Sequence, residues 1–167
     1  MSDAFFVSAK GLDEIAAEWK ASPKLVEQAM RTATVRVTRW AASQARRNIA
    51  KEVKVTGRVI KGRMVVDLKG EFGRVWFGLS PIPLKHLSPR KTSTGISAGP
   101  VKVPGGFAVK KYGRNIFKRT GPKRGPIEMQ ALDIEARALP FVFDIAQKVE
   151  SKFLVEFENA LAWHSSK

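Results

Sequence analysis

Two long stretches of this chain place an apolar residue at every third or fourth position, and the roughly ninety residues between them do not. In the first stretch Val26, Met30, Ala33, Val37, Trp40, Ala41, Ala45 and Ile49 form one stripe along a helix of about six turns. Ser22-Pro23 marks its start, with the serine as N-cap and the proline in the first turn, where a missing N–H does no harm. Arg31, Arg39 and Arg46 fall on the opposite face, with Arg36 and Arg47 on its flank. In the second stretch Pro140 is expected to open a helix whose apolar stripe is Val142, Ile145, Val149, Phe153, Phe157 and Ala160. Asp144, Lys148, Ser151, Glu158 and Asn159 lie off that stripe. Ahead of both, Phe5–Val7 suggest a strand, and Leu12, Ile15, Ala16 and Trp19 a short helix.

The middle of the chain has a different texture. Thr56–Arg63 reads as a basic loop or one more helical turn. Met64–Leu68 and Arg74–Leu79 are β-branched or aromatic runs, separated by Lys69-Gly70-Glu71-Phe72-Gly73, and predict an antiparallel hairpin. From Ser80 to Gly106 the periodicity is poor, and the segment holds more than half of the prolines and a Ser/Thr cluster at Thr92–Ser97. It is expected to be a long Gly/Pro-rich basic loop, of the kind ordered by a partner. Val101–Val103, Phe107–Lys110 and Asn115–Arg119 are short extended runs, with turns at Gly105-Gly106 and Tyr112-Gly113 and a breaker at Gly121–Pro126. The expectation is α+β: a small twisted antiparallel sheet packed with two long amphipathic helices. With 167 residues, residues 1–167 are read as a single domain with an extended loop or arm at about 80–106.

Charge narrows the function. There are 30 Lys and Arg against 15 Asp and Glu, a net of +15, and the excess is concentrated. Residues 23–124 hold 24 basic and four acidic groups, while both ends are net negative. From Phe72 to Ile127 there are twelve cations and no acid. Such a segment cannot neutralise itself, so its field faces a negative partner or salt-screened water. A merely solvated basic surface is the plainer reading of the same residues.

Several chemistries find no support. The chain has no cysteine, which excludes disulfides, thiol catalysis and Cys-based metal sites. His86 and His164 are far apart in sequence, so no metal site is expected. Ser80, Ser88 and Ser93 lack a nucleophile-elbow context. Gly57–Arg63 lacks the Lys-Ser/Thr end of a phosphate-binding loop. Glu128, Asp133 and Glu135 read more simply as an acidic entry to the last helix than as paired catalytic acids. An enzyme would have to rest on Glu128 or His86, and no catalytic residue and no cofactor are expected. No apolar run approaches the ~20 residues needed to span a bilayer, and the first residues lack a secretory signal's basic head and apolar stretch. Synthesis in a cytoplasm is the matching expectation. Twelve cations interleaved with Trp76, Phe77, Phe107, Tyr112 and Phe117 suit non-specific phosphate contact with base stacking. The same aromatics also suit a sheet core.

The order of features resembles one family. After the Ala/Arg helix come the basic turn at Val55–Arg63, Ile82-Pro83-Leu84, Gly95-Ile96-Ser97 and Gly106-Phe107-Ala108-Val109. Ile116-Phe117-Lys118-Arg119-Thr120-Gly121 and Arg124-Gly125-Pro126-Ile127-Glu128 follow, before the closing helix. From about Pro23 to Trp163 this resembles the minor tail protein Z family of tailed bacteriophages and prophages, the tail completion or neck proteins. The most specific positions are Phe117, Arg119 and Gly121, then Pro126 and Ile127. The opening Val7–Glu14 also looks like the start of related neck proteins. Where family members often carry a Gly-Pro pair soon after the Pro-Ile, this chain departs and reads Gln130-Ala131-Leu132-Asp133.

The resemblance implies a structural virion protein at the head-proximal end of the tail, assembled in the bacterial host cytoplasm. It would complete the tail and enable head–tail joining, as an oligomeric ring around the DNA path. Its partners would be further copies of itself and other neck or tail proteins: the tail terminator, the tail tube and head-completion proteins. The alternative is a non-specific nucleic-acid-binding protein. Arg90, Lys91, Lys102, Lys110, Lys111 and Arg114 are the expected partner- or DNA-facing cations, followed by Lys118, Arg119, Lys123 and Arg124. Arg119 has a second reading, as a structural arginine holding carbonyls of the adjoining Gly-Pro turn.

Overall fold

In a computed structural model, the described residues are Ala17, 22–69 and 72–166. The expected strand at Phe5–Val7, the Gly70-Glu71 turn and, apart from the helical Ala17, the Leu12–Trp19 helix lie outside them. Helix α1 spans Pro23–Val53, a short α2 spans Gly57–Lys61, and α3 spans Glu135–Ser165. Between α2 and α3 run ten short strands: β1 Met64–Lys69, β2 Phe72–Phe77, β3 Ile82–Pro83, β4 Arg90–Thr92, β5 Gly95–Ala98, β6 Val101–Pro104, β7 Phe107–Val109, β8 Asn115–Arg119, β9 Ile127–Met129 and β10 Ala131–Leu132. The protein is α+β. Among the described residues the strands form four small antiparallel sheets, β1–β2, β3–β10, β4–β5–β6 and β7–β8–β9, where a single sheet was expected.

The chain divides into two compact units, each discontinuous in sequence. Unit 1 takes α1 as far as Arg46, Arg63–Gly78 and the chain from Phe141 onward. Its helix starts as the sequence predicts, with the Leu25 N–H donating to Ser22 Oγ at 3.4 Å. Val26, Ala29, Met30 and Ala33 of α1 form a buried cluster with Phe157, Ala160 and Leu161 of α3. Alanines on both helices allow close approach, and the aromatic ring fills the remaining space. The expected antiparallel hairpin is present as β1–β2, its register running from Met64 opposite Phe77 to Lys69 opposite Phe72, so β2 takes in Phe72 and Gly73 from the expected turn. Gly73, Val75 and Phe77 alternate inward along β2. A Cβ at Gly73 would overlap Thr38 Oγ1, so only glycine lets this strand lie against α1. Thr34 and Thr38 are buried on α1, and the Thr38 hydroxyl donates to the Thr34 carbonyl at 2.7 Å. His164 is half-buried, with Nε2 3.1 Å from Thr32 Oγ1. Because that hydroxyl already donates to the Gln28 carbonyl, the imidazole N–H is the donor to it.

Unit 2 comprises Arg47–Gly62 and Leu79–Pro140. Here the long loop expected at 80–106 is corrected. The segment contains β3, a 3-10 turn at Leu84–His86, and the whole β4–β5–β6 sheet. Ile82, Leu84, Leu87, Ile96, Ala98 and Val103 within it are buried. Strands of two to four residues are too short for a period of two to register. Its prolines sit in turns or on edge strands, where no ladder N–H is needed. Gly95 has φ +155°, and a Cβ there would overlap the Val103 carbonyl, so β5 and β6 close up only around glycine.

The last helix also differs from expectation. It begins at Glu135, whose N–H is accepted by Asp133 Oδ1 at 3.1 Å, so Pro140 lies inside it. Glu128 is not part of the helix entry, because it sits on β9. Within Gln130–Asp133, Ala131 and Leu132 pair with Pro83 and Ile82 as β10–β3.

Candidate functional site

All ten cations singled out from sequence lie in unit 2, and all ten are exposed. Two sheets carry most of them. In β4–β5–β6, Arg90 stands opposite Ser97, which stands opposite Lys102. The three make one rank across the outer face, with the cations two strand spacings, about 10 Å, apart. Ile96 and Val103 point the other way and are buried. Lys91 shares their face but remains exposed on edge strand β4.

The second sheet, β7–β8–β9, buries Ile116 completely on its inner face. Phe107, Phe117 and Met129 stand in one cross-strand rank on the other face. The Phe107 and Phe117 rings are 6.4 Å apart between centroids, and the Tyr112 ring lies 5.7 Å from that of Phe117. Tyr112 and Met129 are about half exposed. These aromatics therefore form an outward face, and only Trp76 and Phe77 belong to another sheet, the β1–β2 hairpin of unit 1. Lys110 and Lys111 occupy a 3-10 turn at Lys110–Tyr112, and Arg114 follows Gly113 in the left-handed region. Lys118 stands opposite Glu128 in the register, which gives it an acid as its cross-strand neighbour. Lys123 and Arg124 lie in the bend between β8 and β9.

Arg119 resolves in a particular way. Its guanidinium lies over the Phe107 ring, 5.4 Å from the centroid. The adjoining turn is held by Thr120 instead, whose N–H and Oγ1 both reach the Pro126 carbonyl at 3.2 Å. Phe117, Arg119 and Ile127, singled out from the sequence, share the outer face, with Arg119 and Ile127 directly opposite. Gly121 and Pro126 lie in the bend that returns the chain to β9.

Sequence reasoning missed a cleft of about 360 Å³ in unit 2, lined by Lys54, Thr56, His86, Ser88, Arg90 and Ser97 among others. The signal was hidden because its residues come from three separated segments. Glu128 does not line this cleft, so it and His86 do not share it. Among the described residues no three His, Asp or Glu side chains gather as a metal site, and no helix is long and apolar enough to cross a membrane. Compared with known protein families, with curated protein sequences and with solved structures, the chain matches none.

Proposed function

We propose that this chain is a structural protein of a tailed-phage virion, acting at the head-proximal end of the tail in tail completion and head–tail joining. The observation that carries the reading is the confinement of ten exposed cations to one compact unit, on a framework of short paired strands. Surface charge of one sign on a rigid support suits docking to DNA or to an acidic neighbouring subunit. The motif positions Phe117, Arg119 and Ile127 gather on the same outward face, as a shared docking surface requires.

The oligomeric ring belongs to this reading, but its support changes. The 80–106 segment is held by its own strands and buried side chains, so it does not call for a neighbour to order it. Unit 1 instead exposes large apolar side chains, among them Phe72, Phe143, Leu154 and Trp163. Phe143 and Leu154, eleven residues apart, project in the same direction on α3. Apolar exposure of this kind is what subunit contacts cover.

A second reading, non-specific nucleic-acid binding, is favoured by the outward Phe107–Phe117–Tyr112 face beside Lys110, Lys111 and Arg114. A charge-reversed triple variant at Lys110, Lys111 and Arg114 tests the leading reading. It is expected to fold normally and to block joining of purified tails to filled heads. Normal joining by the folded variant would overturn the charge argument.

A further inference from the structure

We propose that the unit 2 cleft lined by Lys54, His86 and Arg90 binds a phosphate-type oxyanion. The polar residues that line it all carry donors: Lys54, Arg90, His86, Thr56, Ser88 and Ser97. No carboxylate lines it. Among the described residues neither Lys54 nor Arg90 is engaged in an ion pair. The β4–β5 register sets Arg90 directly beside Ser97.

The backbone supplies an independent observation. Among the described residues three non-glycine residues have positive φ, and two of them, Lys54 (57°) and Ser88 (52°), line this cleft. Lys54 closes α1: its N–H donates to the Lys51 carbonyl at 3.3 Å, and the Val55 N–H donates to the Ala50 carbonyl at 3.0 Å. This is the helix-ending motif in which the left-handed position is usually glycine. Ser88 precedes Pro89, a position that ordinarily holds extended backbone. Both residues adopt a conformation that costs free energy where glycine would not, and both line the same cleft. Strain retained at a wall of donors marks a binding site.

The same reasoning supplies a clean test, because Lys54→Gly removes the cation while relieving the backbone. The proposal stands apart from the virion reading, and the oxyanion has two possible sources: free phosphate, or the backbone phosphates of DNA. Titration with inorganic phosphate up to about 20 mM, followed by amide NMR shifts, addresses the first. Binding of a short DNA duplex at several salt concentrations addresses the second. Lys54→Gly is expected to keep its Tm, or raise it by up to about 4 °C. It is also expected to weaken phosphate binding about tenfold or more, or to lower the DNA salt slope by about 0.9.

Lys54→Arg is expected to restore binding. Lys61→Gln, which removes a charge from α2 outside the lining, is expected to leave phosphate binding unchanged and to lower DNA affinity less than Lys54→Gly does. Loss of phosphate binding alone identifies a free oxyanion, and loss of DNA affinity alone identifies a backbone contact. The proposal is overturned if wild type binds neither, or if Lys54→Gly binds both as wild type does. An effect of Lys61→Gln equal to that of Lys54→Gly would overturn it as well.

Discussion

Unit 1 and unit 2 use opposite strategies to hold a fold. Unit 1 is built on long helices whose buried cluster of alanines, Val26, Met30 and Phe157 gathers widely separated segments. Unit 2 is built largely from strands of two to five residues, none with much core of its own. It spreads burial over single residues such as Ile60, Ile82, Leu84 and Ile116. The charge follows the same division. Arg31 and Arg36 of unit 1 are paired with Glu27 and Glu156, whereas most of the unit 2 cations have no acid nearby in sequence. Among the described residues the five ion pairs all lie in unit 1, whereas the ten exposed cations of unit 2 enter none.

The sharpest way to break that contrast is through the two cores. Phe157→Ala should destabilise unit 1 by about 3–5 kcal/mol, and Ile116→Ala should cost unit 2 about 2–5 kcal/mol. Hydrogen exchange read by mass spectrometry should find the first loss in α1 and α3 and the second in β7–β9. Equal loss of protection throughout the chain in both variants would merge the units into one cooperative body.

Next in size are the two glycines that admit close approach. Gly73→Ala should cost about 1–3 kcal/mol through overlap with Thr38. Gly95→Ala should cost at least as much, because strained backbone adds to its overlap with the Val103 carbonyl. Denaturant titration checks both, and a neutral Gly73→Ala would remove the claimed contact of β2 with α1.

Charge variants should move binding and leave stability nearly untouched. Reversing Lys110, Lys111 and Arg114 should change stability by within about 0.5 kcal/mol. The same change should flatten the salt dependence of DNA binding by about 2–3 in log–log slope. Neutralising Arg31 and Arg39 in unit 1 should flatten it far less. Equal slopes for the two variants would erase the division of labour.

The smallest effect concerns Glu156. The Lys152 ammonium hydrogen-bonded to it, joined by Arg36, holds its carboxyl below the ordinary value despite the opposing effect of burial. A lowered folded-state pKa means that the stabilisation is present above the ordinary value of 4.5 and is lost as pH falls through the folded value. The Tm difference between wild type and Glu156→Gln should therefore be present at pH 7 and shrink progressively as pH falls below 4.5. A difference that grows on acidification would reverse the assignment.

The helices were legible because a period of 3.6 accumulates over many turns. Val26, Met30, Ala33, Val37 and Ile49 are buried as their spacing demands. Pro140 misled because a proline favours a first turn, while the Asp133 side chain starts the helix earlier. Of the 80–106 strands only Val101–Val103 was readable as an extended run; Ile82 finds its partner Leu132 fifty residues further on, and Ile96 meets Val103 only across the Gly99-Pro100 turn. The outward cations were readable from charge alone. The cleft was not, since Lys54, His86 and Arg90 meet only through tertiary structure.

The most direct test of the account is the mass of the protein in solution by light scattering, alone and with a DNA duplex of about 20 base pairs, at about 50 and 300 mM salt. The account predicts a discrete oligomer that persists at both salts, with DNA associated at the lower salt and released at the higher. A monomer at both salts that takes up no DNA even at the lower one would contradict it.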